Sequence, residues 1–253
     1  MSCCASPAFA LSLNNGGFET GDFTNWQTLG LTNVETAGFG SGPRGGSYQA
    51  FLDTGDGTSV STATTGAIET FLGIPNGFIS SMNPVPAFFQ PMDGSSLKQT
   101  FSASAGEVLS FQWNFLTNDG LWGGGADPDA SRDSSFLTLV GPGLLFGSTL
   151  SDTLDHPTQL GNQDFAANPF LTSSTPFHME TGFRNISVVL PNNGDYTVGF
   201  GVINSGLVGA SSGLLVDQVS TSLQSTPEPS AILLFGSGLI GLASWRWSKK
   251  RRT

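Results

Sequence analysis

Cysteine is almost missing from the 253-residue chain, which holds only Cys3 and Cys4. Neighbouring Cα atoms sit about 3.8 Å apart, short of the roughly 4.4–6.8 Å a disulfide spans, so the two do not bridge each other. A disulfide framework and a cysteine-based metal cluster are excluded with them. Histidine is equally scarce, at His156 and His178. Gly209-Ala-Ser211-Ser-Gly213 has the spelling of a hydrolase nucleophile elbow, but that arrangement needs a histidine after the serine, and both lie before it. The histidines read as surface polar residues. Positive charge is scarce in the body of the chain. Of nine Lys and Arg, five (Arg246, Lys249, Lys250, Arg251 and Arg252) crowd the end. Without residues 229–253, 19 acidic side chains face 4 basic ones, a charge of −15. Such a body repels nucleic-acid phosphates and leaves carboxylates for calcium. No long apolar period of three to four residues precedes the tail, which removes a helical body.

Short apolar and aromatic runs divided by Gly, Asn, Asp, Pro and Ser fill residues 13–222. They predict strands at Tyr48–Leu52, Ser59–Thr64, Leu97–Ala103, Val108–Phe115, Ser135–Val140, Asn185–Leu190, Gly194–Val202 and Gly213–Ser220. Alternation is clearest in Val108-Leu-Ser-Phe-Gln-Trp-Asn-Phe115 and Asp195-Tyr-Thr-Val-Gly-Phe-Gly-Val202. Many short strands with turn chemistry between them predict an all-β protein, a β-sandwich. Pro191-Asn-Asn-Gly194 reads as a hairpin turn joining two antiparallel strands. Asp119–Asp133 and His156–Pro176 read as long loops.

The end of the chain has a different character. Pro227-Glu228-Pro229 is followed by an uncharged run, Ser230–Trp245, and then by Lys249–Arg252. Sixteen helical residues reach about 24 Å, a little short of a bilayer core of about 30 Å. Trp245 and Trp247 suit the headgroup layer, and the terminal cations favour the cytoplasmic side. The chain therefore divides into 11–222, the sandwich; 223–230, a linker with the Pro-Glu-Pro motif; 231–247, a single transmembrane helix; and 248–253, a basic cytoplasmic tail. Residues 1–10 end in Ala8-Phe9-Ala10, a small-x-small cleavage pattern, and read as the remnant of a signal peptide whose true start lies upstream of Met1.

Motif, apolar helix and basic end together resemble the PEP-CTERM sorting tail, also catalogued as an ice-binding protein C-terminal domain. The resemblance implies export across the inner membrane of a Gram-negative bacterium. It also implies recognition of Pro227, Glu228 and Pro229 by an exosortase that removes the helix, often in producers of exopolysaccharide and biofilm. Thr226 stands where that family usually has Val.

A second resemblance joins the two ends of the sandwich. Leu13-Asn-Asn-Gly-Gly-Phe-Glu19 with Asp22-Phe-Thr-Asn-Trp26, and Leu214-Leu-Val-Asp217-Gln-Val219, are similar to the first strand and turn and the closing strand of galactose-binding-like jelly rolls found in carbohydrate-binding modules. That family implies a structural calcium ion held by Glu19 and Asp217; otherwise Glu19 is an exposed turn residue and Asp217 a local hydrogen-bond acceptor. Asp127, Asp129 and Asp133 place oxygens at alternate positions, as a loosely held calcium or as a solvated acidic loop, and Arg132 at the sixth position excludes an EF-hand. Trp122, on Trp122-Gly-Gly-Gly125, either stacks on a sugar ring or folds back over the sandwich edge. No motif marks a carboxylate pair for glycoside hydrolysis. These features lead to a jelly-roll-like, non-catalytic protein of the cell surface or extracellular matrix. The alternatives are a carbohydrate-binding module for exopolysaccharide and a secreted glycan-active hydrolase.

Overall fold

The computed structural model describes residues 13–55, 62–82, 90–118, 133–153, 170–205 and 211–223. In chain order the elements are β1 (Gln27–Leu29), β2 (Leu31–Glu35), β3 (Gln49–Asp53), β4 (Ala63–Thr64), α1 (Thr65–Leu72), α2 (Phe78–Met82), β5 (Pro91–Ala103), β6 (Glu107–Thr117) and β7 (Ser134–Gly141). They continue with β8 (Leu144–Asp152), β9 (Leu171–Thr172), β10 (Met179–Glu180), β11 (Arg184–Val189), β12 (Gly194–Ser205) and β13 (Ser212–Leu223). One sheet, in the order β1-β5-β12-β7-β8 with β4 on β5, packs on a second, β2-β3-β13-β6-β10-β9 with β11 on β6. The chain divides into two compact units, Met1–Ser222 and Leu223–Thr253, and the sandwich is the first. The protein is mostly β, as its alternation predicts.

Alternation decides which side chains enter the core. Leu109, Phe111, Trp113 and Phe115 of β6 face Tyr196, Val198, Phe200 and Val202 of β12 across one buried cluster. The residues between them obey different rules on the two sheets. On β12 they are Thr197, Gly199 and Gly201, and a Cβ at Gly199 would lie 2.4 Å from Leu72 of α1, one at Gly201 2.2 Å from Phe136. The missing side chains admit a second apolar cluster, built from Ile68, Leu72, Ile74, Ile79, Phe136 and Ile203, between the two helices and the outside of the first sheet. On β6 the intervening residues are Ser110, Gln112 and Asn114, and that outer face keeps its polar groups.

Three features differ from the sequence expectation. Helices α1 and α2 lie between β4 and β5. Thr64 caps α1, accepting the Ala67 N–H at 3.3 Å, but eight residues are too few to give a visible period. Pro191–Gly194 is not a hairpin: β11 pairs with β6 in one sheet and β12 with β5 and β7 in the other. The turn carries the chain between sheets because Tyr196 Oη donates to the Asn192 carbonyl at 2.8 Å and accepts its N–H at 3.0 Å, pinning the corner beneath the core. Residues 13–26, expected to open with a strand, are irregular. Gln99 takes the place of a ladder partner, accepting the Asn14 N–H at 2.7 Å and donating to its carbonyl at 2.9 Å.

Smaller differences concern extents. Ser59–Thr64 contributes only Ala63–Thr64 as strand among the described residues, β11 ends one residue before Leu190, and Leu171–Thr172 pairs with β10 inside the expected loop at 156–176. Strands β1, β2 and β8 carry no strong alternation and were not expected. Among the described residues no helix is long and apolar enough to cross a membrane. The expected membrane helix 231–247 lies outside them.

Glu69, 2 % exposed, holds α2 in place: its carboxylate accepts the Gly77 N–H at 2.9 Å and the Ile79 N–H at 3.0 Å. Glu69→Gln turns one acceptor into a donor facing an N–H, and we predict a loss of about 1.5–3 kcal/mol in urea denaturation. Glu107 is half-buried and its Oε1 accepts the Ser104 N–H at 3.1 Å, a bond the amide oxygen of Gln can keep, so Glu107→Gln should change stability by no more than about 0.5 kcal/mol. Equal effects from the two substitutions would remove Glu69 as the anchor.

Candidate functional site

The first described residues form a knot that presents Glu19. Asn15 donates to the carbonyls of Asp22 at 3.0 Å and Thr24 at 3.1 Å, bending residues 15–24 into a closed turn. Phe18, fully buried, lies 5.4 Å from the Trp26 ring, whose Nε1–H donates to the Asn15 carbonyl at 3.0 Å. This segment docks on the last strand. Val219 N–H donates to the Gly16 carbonyl at 2.8 Å, and a Cβ on Gly16 would stand 1.8 Å from the Val219 carbonyl oxygen. Only glycine fits there.

From the other end of the chain, β13 supplies Asp217. Leu214 and Val216 enter the main core and Leu215 the opposite side, but Val219 is again in the core. One residue too many lies between Val216 and Val219. Gln218 absorbs it with φ of 51° in the left-handed region, in the manner of a β-bulge. The bulge leaves Gln218 on the outside of the sheet, next to Asp217.

The two carboxylates converge on the segment entering β3. Asp217 accepts the N–H groups of Arg44 at 2.7 Å, Gly45 at 3.0 Å and Gln218 at 2.6 Å. Glu19 accepts those of Ser47 at 2.9 Å and Tyr48 at 3.1 Å. Burial pushes the Asp217 carboxyl above the usual carboxylate range. The neighbouring Glu19 charge pushes the same way, against the pull of the Gly45, Gln218 and Arg44 N–H groups. Two like charges, one fully buried, suit a divalent cation between them: it would relieve their repulsion, and Asp217 Oδ1 and Glu19 Oε2 each take only one of these N–H groups. Among the described residues no three of His, Cys, Asp and Glu gather to hold a metal, so the remaining ligands would be backbone carbonyls and water.

Beside this clamp a shallow groove of about 470 Å³ runs over the outside of the second sheet. Glu19, Ser110, Gln112, Asn185, Gln218 and Ser220 line it. Gln112 donates to the Gln218 side chain at 2.7 Å and accepts from Arg44 Nε at 3.2 Å, while the Ser110 and Ser220 hydroxyls meet at 3.1 Å. Arg44 lies 5.8 Å over the Phe183 ring. Beyond the groove the same face is closed, with Phe39 tilted against Phe51 at 4.9 Å and Phe51 edge-on to Phe177 at 5.9 Å.

Glu19 and Asp217 are thus brought together. Asp133 is not part of a solvated loop: it is fully buried at the start of β7, where Oδ1 accepts the Ser205 N–H at 3.1 Å. Asp127, Asp129, Trp122, Pro227, Glu228 and Pro229 lie outside the described residues. Ser211–Gly213, from the elbow-like motif, runs into β13, where the buried Ser212 hydroxyl pairs with Thr117 at 2.8 Å. Ser110 and Gln112 were legible as the polar positions between buried aromatics of β6. The placing of Gln218 had no sequence signal, because the bulge breaks the alternation that would have located it.

Solved structures similar to the chain include TmCBM61 in complex with beta-1,4-galactotriose, at 14 % identity and a TM-score of 0.41, covering 85 % of this chain and 99 % of that one. The C-terminal family 22 carbohydrate binding module of Clostridium thermocellum Xyn10B is similar at 12 % identity and a TM-score of 0.31, covering 87 % and 99 %. The enzymatically active domain of bacteriophage CBA120 tailspike protein 4 is similar at 13 % identity and a TM-score of 0.36, but the chain spans only 23 % of its length. No curated protein matches the chain in sequence. The sequence of residues 225–252 matches the PEP-CTERM protein-sorting motif, so the sandwich precedes a tail that marks an exported, transiently membrane-anchored protein.

Proposed function

We propose that this is a non-catalytic, exported polysaccharide-contacting protein of a Gram-negative cell surface or extracellular matrix, released from its tail by an exosortase. The groove of amides and hydroxyls carries this reading. Gln112, Asn185 and Gln218 each offer donor and acceptor, and Ser110 and Ser220 do both through one oxygen, which matches the dual character of sugar hydroxyls. A shallow, open groove suits an extended chain better than an enclosed small molecule.

Hydrolysis is disfavoured by the same geometry. Among the described residues, the carboxylates beside the groove are Glu19 and Asp217, and Asp217 is fully buried with each oxygen accepting backbone N–H groups. It has no path to a glycosidic oxygen. Calcium held by Glu19 and Asp217 would act by fixing residues 44–48 at the groove edge.

Three outcomes are expected. Full-length protein should be retained on immobilised exopolysaccharide, and Gln112→Ala should weaken retention about tenfold, the loss of one or two hydrogen bonds. Retention equal to wild type would remove the groove from the proposal. In a host with the matching exosortase, Glu228→Ala should leave an uncleaved, heavier species by mass spectrometry, and normal processing would contradict the sorting role.

The third outcome concerns pH. A carboxyl raised in the fold binds its proton there before it does in the unfolded chain. With chelator present, stability should therefore rise as pH falls from neutral towards the ordinary carboxylate value of 3.8, because charged Asp217 opposes folding above that window. Asp217→Asn should flatten this slope in calorimetric melts. Calcium at a hundredfold excess over its Kd should add about 2.7 kcal/mol to the wild type at neutral pH and not to the variant. Identical melts with calcium and with chelator would exclude the metal.

A further inference from the structure

A separate group of oxygens closes the sandwich where β5 and β7 begin and β12 ends. On β12, Val202 lies in the main core and Ile203 in the helix-covered cluster, so alternation returns Asn204 to the space between the sheets. Its partner across β5 is Asp93, and opposed residues share a face. On β7, Ser135 pairs with Val202 and Ser134 with Ile203, which brings Asp133 level with Asn204 on its other side. The bond from Ser205 N–H to Asp133 Oδ1 fixes that approach. Three neighbouring strands therefore aim Asp93, Asn204 and Asp133 into one place.

That place has acceptors in excess. Asn204 is 2 % exposed and Asp133 fully buried. Asn204 Oδ1 and Asp93 Oδ1 are both buried and accept no hydrogen bond, and neither does Thr65 Oγ1, which follows the Thr64 that pairs with Asp93. A buried acceptor left unmade destabilises the fold, more so for a charged group. A hard cation removes the cost from several oxygens at once. Strands lie about 4.8 Å apart, so Asp93 and Asp133 flank Asn204 at about 10 Å across the backbone, and side chains bending inward can share an ion with bonds of about 2.4 Å. Two carboxylates and an amide oxygen in irregular geometry suit Ca²⁺ better than Mg²⁺, which demands a near-ideal octahedron. We propose that Asp93, Asn204 and Asp133 form a calcium site tying together β5, β12 and β7. It is independent of the Glu19–Asp217 pair. The Asp53 carbonyl accepts the hydroxyl of Ser95, two residues from Asp93, and Asp53 pairs with Gly213; Asp217 lies four residues further along β13, about 13 Å of strand.

The test uses the full chain in detergent, stripped of metal and titrated with calcium chloride by calorimetry. Glu19→Gln serves as the background, so that the clamp pair does not dominate the signal. One equivalent of calcium should still bind; adding Asp93→Asn should weaken it at least tenfold, and adding Asn204→Asp should tighten it about tenfold. No uptake in the background, or uptake indifferent to both additions, overturns the site. Because Asp93→Asn could cost the fold, Asn204→Asp is also read by thermal melting. Three carboxylates should lower the midpoint in chelator and raise it in calcium. Equal midpoints in the two conditions would mean that the Asn204 amide simply donates to Asp93, and the proposal fails.

Discussion

The groove and the closure of the sandwich rest on one electrostatic arrangement: two carboxylates from opposite ends of the chain grip the backbone between Arg44 and Tyr48. Asp217 is buried and accepts three N–H groups; Glu19 is exposed and accepts those of Ser47 and Tyr48. Hydrogen bonds to a charged acceptor are about twice as strong as neutral ones, which lets a short loop without secondary structure hold one conformation. The arrangement is also under tension, because burial and the Glu19 charge both raise the Asp217 carboxyl. A divalent cation or a proton can each relieve it. Stability and the shape of the groove edge are in this way tied to the same two side chains.

The two outer faces of the sandwich answer the same problem differently. Outside β12, glycine at alternate positions lets α1 and Phe136 approach the backbone, and an apolar cluster covers that sheet. Outside β6, serine, glutamine and asparagine occupy the corresponding positions, and aromatic packing covers only part of that face. A sheet with one face wrapped and the other partly open has one natural surface for an extended polar ligand. The amides there are ordered by each other, Gln112 with Gln218 and Arg44, and a saccharide would meet groups already held in place.

The alternation of β6 and β12 made an all-β sandwich readable, since burying every second residue is what a two-sheet core requires. The pairing of Glu19 with Asp217 was readable only through the motifs at the two ends; nothing in their spacing of almost 200 residues brings them together. Gly194 has the positive φ, 140°, that its Asn-Asn-Gly context suggests, yet the turn switches sheets. A local conformation does not say which strands it joins. The sequence alone settled the core-facing pattern, the acidic and nearly cysteine-free body, and the sorting motif, because these depend on composition and on residues adjacent in the chain. Tertiary structure alone decided that β11 and β12 lie in different sheets, that a bulge turns Gln218 outward, and that Asp93, Asn204 and Asp133 stand level on three neighbouring strands. Each of these depends on the register between distant strands, where a shift of one residue moves a side chain from one face to the other.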